Sequence, residues 1–148
     1  MQKLLDIRNL TVAYPDTSQG DLFLATKEIS IELAAGQIVG IVGESGAGKS
    51  TIGRAVLGLL DPPARIESAD IRLNGEVISN RNERFYESLR GKKIGYIYQN
   101  PMTALNPVLT IGEQIIEAIE ANTDLKGRKA KRYAVELLEK ASVSFAEE

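Results

Sequence analysis

Residues 40–51 read GIVGESGAGKST, and within them residues 43–50 match the pattern G-x-x-x-x-G-K-[ST] at every specified position. Glycines in such a loop let backbone N–H groups turn inward without obstruction from a Cβ atom. Several of these donors can then converge on the oxygens of one phosphate chain. A helix that begins near Lys49 adds its unpaired N-terminal amides and the positive end of its dipole. The stretch therefore predicts a loop that holds the phosphates of a nucleotide.

Three side chains in this loop have separate expected roles. Lys49 is expected to reach the β- and γ-phosphates, Ser50 to hold Mg²⁺ through its hydroxyl, and Thr51 to donate to the α-phosphate. A glycine-rich turn that only joins a strand to a helix would explain one or two glycines, but not a lysine followed by two hydroxyl residues. The predicted cofactor-binding positions in the loop are Gly43, Ser45, Gly46, Ala47, Gly48, Lys49, Ser50 and Thr51.

The residues before the loop predict strands. Residues 4–13 form a mostly alternating apolar pattern that stops at Tyr14, and a loop is expected over residues 16–21. Residues 29–33 alternate between apolar and polar, as a half-buried strand does. Residues 38–42 are apolar at consecutive positions, which is typical of a central strand covered on both faces of a parallel sheet.

The residues after the loop change to a helical period. Residues 52–60 place apolar side chains on one helix face, and the Asp-Pro-Pro sequence that begins at Asp61 is expected to end that helix. The dipeptide Asn74-Gly75 lies between short apolar runs and favours a type I′ hairpin turn. A short helix is expected over residues 82–90, and another strand over residues 94–98.

Two helices are predicted in the final part of the chain. Thr110 and Glu113 form a capping box at the start of the first, and the second runs from about Arg128 to Ala141. A basic run accompanies the second helix and could indicate anionic lipid or nucleic acid, but its helical spacing favours a solvated helix face. The basic residues are Lys126, Arg128, Lys129, Lys131 and Arg132.

Composition excludes several kinds of chemistry. The 148 residues include neither cysteine nor histidine, so the chain contains no disulfide, thiolate nucleophile, histidine-based triad or zinc site of the usual kind. With 18 basic and 20 acidic residues, the formal charge of −2 gives no electrostatic footprint for nucleic acid. No apolar run is long enough to span a bilayer, and no signal peptide is expected at the start. The chain is therefore expected to be cytosolic.

The motif alone does not distinguish between four classes of protein: GTPases, nucleoside kinases, helicases and transport ATPases. Residues 40–51 resemble the Walker A segment of ABC-type ATPases, whose loop reads GxSGxGKST. The resemblance covers essentially the whole chain and implies an α/β fold: a P-loop NTPase core of the ABC type, with an antiparallel β-subdomain and the beginning of a helical subdomain. It implies ATP and Mg²⁺ as cofactors. We expect residues 1–98 to form the N-terminal part of the ATP-binding core, and residues 99–148 to hold the Q-loop and the start of the helical subdomain.

Two further residues take roles from this resemblance. Tyr14 lies where the family places an aromatic ring that stacks on adenine, although such a residue could also pack under a loop. Gln99 resembles the glutamine of the family's Q-loop, whose amide reaches Mg²⁺ or the attacking water. By itself it would be a solvated glutamine in a proline-rich turn. The resemblance thus implies Lys49 and Gln99 as catalytic residues, and Ser50 and Gln99 as Mg²⁺ ligands.

Residues 89–115, LRGKKIGYIYQNPMTALNPVLTIGEQI, resemble the peptide and nickel importer branch of the family. This implies an ATP-binding subunit that couples ATP binding and hydrolysis to uptake of peptides or nickel. The implied partners are membrane permease subunits, contacted through Gln99 to Thr110, and a second ATP-binding subunit; no nucleic acid is expected. The implied location is cytoplasmic, peripheral on the inner face of the cell membrane.

Several parts of the family's hydrolytic machinery are not found in this sequence. It has no histidine, no LSGGQ-like run and no apolar strand that closes in Asp-Glu. We therefore expect the chain to be truncated, representing the N-terminal half of such a subunit, and to bind ATP weakly and hydrolyse it poorly. The alternatives are an ABC ATPase that acts on DNA or ribosomes, and a nucleotide-binding fragment without turnover.

Overall fold

The computed structural model describes residues 3–15 and 22–144, apart from the side chains of Pro101 and Thr103. The chain divides into two compact units, Met1–Leu89 and Arg90–Glu148. The loop expected over residues 16–21 lies outside the described residues. The division at residues 98 and 99, expected from the family's subdomains, stays a prediction.

The first unit contains a four-stranded antiparallel sheet in the order β2-β1-β3-β4. Its strands are β1 (Lys3–Pro15), β2 (Leu22–Ala34), β3 (Arg65–Leu73) and β4 (Glu76–Val77). Ile7 in the middle of β1 pairs with Ile31 on one side and Ile71 on the other. This confirms the antiparallel β-subdomain and the strand predicted over residues 4–13, and it shows that β2 begins earlier than the alternating pattern indicated.

The β3–β4 connection confirms the predicted hairpin. Asn74 and Gly75 both have positive φ angles, 50° and 84°, as a type I′ turn requires. Ile78, just after β4, is buried and its N–H donates to the Ile71 carbonyl at 2.8 Å.

Helix α1 (Lys49–Leu57) contacts β1 and β2 and buries one apolar face. The prediction that this helix runs to the Asp-Pro-Pro sequence is wrong, because Gly58 ends it with a left-handed φ of 63°. The N–H groups of Gly58 and Leu59 donate to the carbonyls of Ala55 and Arg54, which is the Schellman pattern of a helix C-terminus. The ring of Tyr86 occupies the space where a Cβ at position 58 would lie, 2.6 Å from its Cδ2. A glycine is therefore needed there for packing as well as for backbone conformation.

The predicted central strand over residues 38–42 is wrong for this structure. These residues form no strand, and Ile38 and Val42 are 96% and 97% exposed. A parallel strand exists only when neighbouring strands complete its hydrogen-bond ladder. Within the described residues, the strands of the sheet are β1 to β4 alone, and residues 38–42 are not among them.

The strand predicted over residues 94–98 is wrong for the same reason. Ile94 forms a single parallel bridge with Arg90, and Ile97 is 92% exposed. Apolar, β-branched composition favours a strand but cannot supply the partner that a strand needs. The isolated bridge is too short to extend into a sheet.

The helices predicted downstream are confirmed. Helix α2 (Glu83–Leu89) corresponds to the short helix expected over residues 82–90. In the second unit, a 3-10 turn (Pro101–Ala104) precedes α3 (Ile111–Asn122) and α4 (Arg128–Lys140). The buried residues Ile119, Ala130 and Ala134 join these two helices, and further apolar side chains pack against them: Ile115, Ile116, Leu125 and Tyr133.

The capping box at the start of α3 is present. The Glu113 N–H donates to Thr110 Oγ1 at 3.2 Å, and the Thr110 N–H donates to Glu113 Oε2 at 2.8 Å. The bond from the Thr110 N–H, together with one that the Thr110 hydroxyl donates to the same carboxylate oxygen at 2.9 Å, holds the pKa of Glu113 below its usual value, since both stabilise its ionised form.

Asp6 on β1 is expected to make folding sensitive to acid. Arg8 Nε donates to both oxygens of its carboxylate, at 3.3 and 3.1 Å, and Nη2 donates to Oδ2 at 2.7 Å; these bonds lower the pKa of Asp6. A carboxyl whose folded pKa is lowered adds stability above its unfolded pKa and loses it as pH falls through the folded value. We expect Asp6→Asn to lose less unfolding free energy than the native chain between pH 7 and about pH 3. Urea unfolding at both pH values measures this, with exposed Asp124→Asn as the control. Equal acid sensitivity of the native chain and Asp6→Asn would contradict it.

Candidate functional site

Residues 43–48 form a turn that leads directly into α1. The Ala47 N–H donates to the Glu44 carbonyl at 3.2 Å and closes the turn. Gly46 and Gly48 have φ angles of 82° and 79°, in the left-handed region that favours glycine. The loop conformation therefore depends on Gly48, which the pattern G-x-x-x-x-G-K-[ST] specifies, and on Gly46, which lies at one of its variable positions.

The sheet fixes the end of this loop. A Cβ at Gly48 would lie 2.2 Å from the Ala25 carbonyl oxygen and 3.0 Å from Thr26 Cγ2, both on β2. Thr26 is itself buried, where its hydroxyl accepts from the Val12 N–H at 3.0 Å and donates to the Leu10 carbonyl at 3.3 Å. The close approach of Gly48 to β2 thus places the start of α1 against the irregular part of the β1–β2 pairing.

The N-terminus of α1 has the features of an anion site. The bond from the Ile52 N–H to the Gly48 carbonyl, 3.2 Å long, closes the first turn, so the preceding amides of Lys49, Ser50 and Thr51 have no helical acceptor. No side-chain hydrogen bond caps this end, and its first turn holds no acidic residue. The positive end of the helix dipole is therefore left for a bound anion.

Lys49 brings a cation to the same loop. Its ammonium group donates to the Gly43 carbonyl at 2.8 Å and to the Glu44 carbonyl at 2.5 Å, so the side chain folds back along the loop. Ser50 is exposed and Thr51 is half-buried on the following turn. Lysine ammonium, hydroxyls and free amides form a donor set that suits a phosphate chain.

The loop also fits Mg²⁺ as a nucleotide-bound ion. In the described part of the chain, no group of three or more His, Cys, Asp or Glu residues could hold a metal alone. Mg²⁺ usually takes one or two protein ligands and completes its octahedron with waters and substrate phosphates. The exposed Ser50 hydroxyl is suited to be such a single ligand.

The two outlying candidates lie on different elements. Tyr14 lies near the end of β1, opposite Phe23 on β2, and is half-buried. It belongs to the same unit as the phosphate loop. Gln99 is exposed in a bend before the 3-10 turn and belongs to the second unit. The structure brings residues 43–51 together as one site, while the roles of Tyr14 and Gln99 stay predictions.

Sequence reasoning missed the part of the site that comes from β2. Ala25 and Thr26 form the surface against which Gly48 lies, although they are far from it in sequence. The motif specifies a glycine at this position but not the strand it meets. Thr26 lies between the apolar residues 22–25 and the charged pair Lys27-Glu28, so the sequence gave no clear signal of the buried hydrogen bonds that it makes.

The protein-family comparison matches the ABC transporter family over residues 26–147. The chain is 41% identical to the oligopeptide transport ATP-binding protein OppD of Mycobacterium tuberculosis, over 97% of this chain and 23% of that protein. It is 36% identical to the dipeptide transport ATP-binding protein DppD of Escherichia coli, over 95% of this chain and 42% of that protein. It thus spans less than half the length of these curated relatives.

Solved structures agree on the fold. A bacterial ABC transporter cassette, MJ0796, solved as a dimer, superposes with a TM-score of 0.79 at 22% identity, covering 93% of this chain and 57% of the cassette. No helix in the described residues is long and apolar enough to cross a membrane. Since the family match extends from β2 through the phosphate loop and both helices of the second unit, the chain belongs to the ABC transporter family.

Proposed function

We propose that this chain is the ATP-binding part of an importer subunit that couples ATP binding and hydrolysis to the uptake of peptides. The observation that carries the proposal is the α1 N-terminus: free amides, an uncapped helix end and the Lys49 ammonium meet in one glycine-defined loop. Relatives of this family are named oligopeptide and dipeptide transport ATP-binding proteins, which supports peptides as the transported class.

Different residues of the chain are proposed to bind different parts of the nucleotide. Backbone amides at the start of α1 and Lys49 neutralise the phosphates, and Ser50 would hold Mg²⁺ through its hydroxyl. Gln99 is proposed as a Mg²⁺ ligand and catalytic residue from the resemblance alone. Tyr14 offers a ring face on which adenine stacks. Bound MgATP would supply the phosphoanhydride bond whose hydrolysis drives transport.

The surroundings of Gln99 are suited to a protein partner. The loop that follows it exposes apolar side chains, among them Met102 and Val108, at 73% and 87%. Gln114 on α3 fixes part of this loop, accepting from the Asn106 N–H at 2.8 Å and donating to the Asn106 carbonyl at 3.0 Å. We place the contact with membrane permease subunits at residues 99–110. This assigns the chain to the cytoplasmic face of the membrane, alongside a second ATP-binding subunit.

This chain alone is proposed to turn ATP over slowly. Phosphoryl transfer requires positioned water, Mg²⁺ and charge stabilisation together. The sequence supplies the loop and Gln99, but it contains no histidine and no LSGGQ-like run. We propose that the purified chain binds MgATP weakly and hydrolyses it near the background rate.

Calorimetric titration with MgATP, MgADP and AMP tests the proposal. If the loop recognises phosphates, affinity should increase with their number, because each adds charge beside Lys49 and the α1 amides. Equal affinity for AMP and MgATP would overturn the loop as the site. A permease pull-down, with nucleic acid as the competing bait, separates an importer subunit from an ABC ATPase that acts on DNA or ribosomes.

A further inference from the structure

A basic cleft lies beside α4, in the second unit. Its volume is about 440 Å³. The lining residues are Leu125, Arg128, Lys129, Arg132, Tyr133 and Glu136. The proposed nucleotide site does not use any of them.

Charge in this cleft is unbalanced. Arg128, Lys129 and Arg132 face a single carboxylate, Glu136, whose Oε1 lies 3.5 Å from Arg132 Nε. Among the described residues, neither Arg128 nor Lys129 forms an ion pair. Within residues 3–15 and 22–144, the cleft therefore presents two cations that form no ion pair, next to Arg132, whose pairing with Glu136 is loose.

The folding of α4 does not account for these cations. The helix packs through Ala130 and Ala134, which are buried against α3. Arg128 and Lys129 lie in its first turn, where no acidic residue accompanies them and positive charge opposes the helix dipole. The helix dipole therefore does not favour these two cations, and the contact between α4 and α3 does not use them.

We propose that this cleft binds a phosphate group, carried by an anionic lipid headgroup or by a soluble phosphate ester. Guanidinium groups pair with phosphate oxygens through parallel N–H bonds, and lysine adds a point charge. Tyr133, half-buried in the cleft wall, adds a phenolic hydroxyl donor.

The helical spacing of the basic run, taken alone, favoured a solvated helix face. Three of its members line the same cleft, and this shared position changes that interpretation. The site lies outside the phosphate loop and goes beyond the proposed function.

The test uses two phosphate probes on the whole chain, with a short DNA duplex titrated as the competing ligand. Vesicles of phosphatidylcholine, with and without phosphatidylglycerol, report lipid binding by co-sedimentation. Glycerol 3-phosphate, titrated during two-dimensional NMR, shows whether amides of α4 shift separately from those of residues 43–51. Binding to anionic vesicles alone assigns a lipid headgroup, and α4 shifts with glycerol 3-phosphate assign a soluble ester as well.

Lys129 and Lys131 provide a matched pair of variants. Both are exposed lysines on the same helix, but only Lys129 lines the cleft. Lys129→Gln should weaken binding about fivefold, whereas Lys131→Gln should change it less than twofold. Circular dichroism checks that both variants keep their helix content.

Three results would overturn the site. Equal losses in the two variants would mean diffuse attraction by the whole basic face. Absence of binding to both probes would remove the phosphate site, and tighter binding to nucleic acid than to either probe would assign a different partner. None of these results bears on MgATP binding at residues 43–51, so either proposal can be overturned while the other stands.

Discussion

Gly48→Ala is expected to reduce the free energy of unfolding of the first unit by roughly 3 kcal/mol or more, a large part of the about 5 to 15 kcal/mol that stabilises an ordinary domain. Two effects add. The φ angle of 79° is strained for alanine, and the new Cβ would lie 2.2 Å from the Ala25 carbonyl oxygen. Because that oxygen belongs to the backbone of β2, it cannot move aside as a flexible side chain could. Urea unfolding followed by circular dichroism measures the loss.

Gly46→Ala is the matched control. Gly46 has nearly the same φ, 82°, but a Cβ there would meet no atom within 4 Å. Its expected cost is about 1 to 2 kcal/mol, the strain of a left-handed backbone alone. The difference between the two variants measures the collision with β2. Equal losses would show that Gly48 does not depend on its contact with the sheet.

Lys49→Ala is expected to weaken MgATP binding by about tenfold to a hundredfold. A hydrogen bond to a charged group contributes roughly 1.5 to 3 kcal/mol, and each 1.4 kcal/mol is a factor of ten in affinity. In the structure the ammonium makes two hydrogen bonds to exposed carbonyls of its own loop, at Gly43 and Glu44. Water can replace those bonds, so the variant should lose little stability while it loses affinity.

Calorimetry with the native chain and the variant measures the affinity, and urea unfolding checks the stability. Lys140→Ala, at the exposed end of α4, controls for removing one positive charge. AMP affinity should be the same in all three proteins, because Lys49 is expected to act on the β- and γ-phosphates. Unchanged MgATP affinity in Lys49→Ala would remove the loop from the proposed function.

Short sequence motifs predicted the structure correctly where the structure is formed by residues close together in the sequence. The hairpin at Asn74 and Gly75 and the capping box of Thr110 and Glu113 both form as predicted. In each case the residues that specify the structure are neighbours in sequence, so a few consecutive positions are enough to predict it. The phosphate loop belongs to the same class, since its motif defines the glycines and the lysine together.

Sequence patterns gave wrong predictions where an element depends on contacts with residues that are distant in the sequence. The β-branched run over residues 38–42 predicted a buried central strand, yet Ile38 and Val42 are almost fully exposed. Burial of a strand is a property of the sheet around it, not of its own side chains. The end of α1 was misjudged for a related reason: Gly58 meets the ring of Tyr86, which comes from α2.

By itself, the sequence predicted a phosphate-binding loop, because the glycines, the lysine and the two hydroxyl residues that such a loop needs all lie within residues 43–51. It also determined the family through residues around that loop. Only the tertiary structure decided that Gly48 lies against Ala25 of β2, and that Arg128, Lys129 and Arg132 share a cleft. Both are contacts between groups whose distance is set by packing, and packing depends on the whole chain.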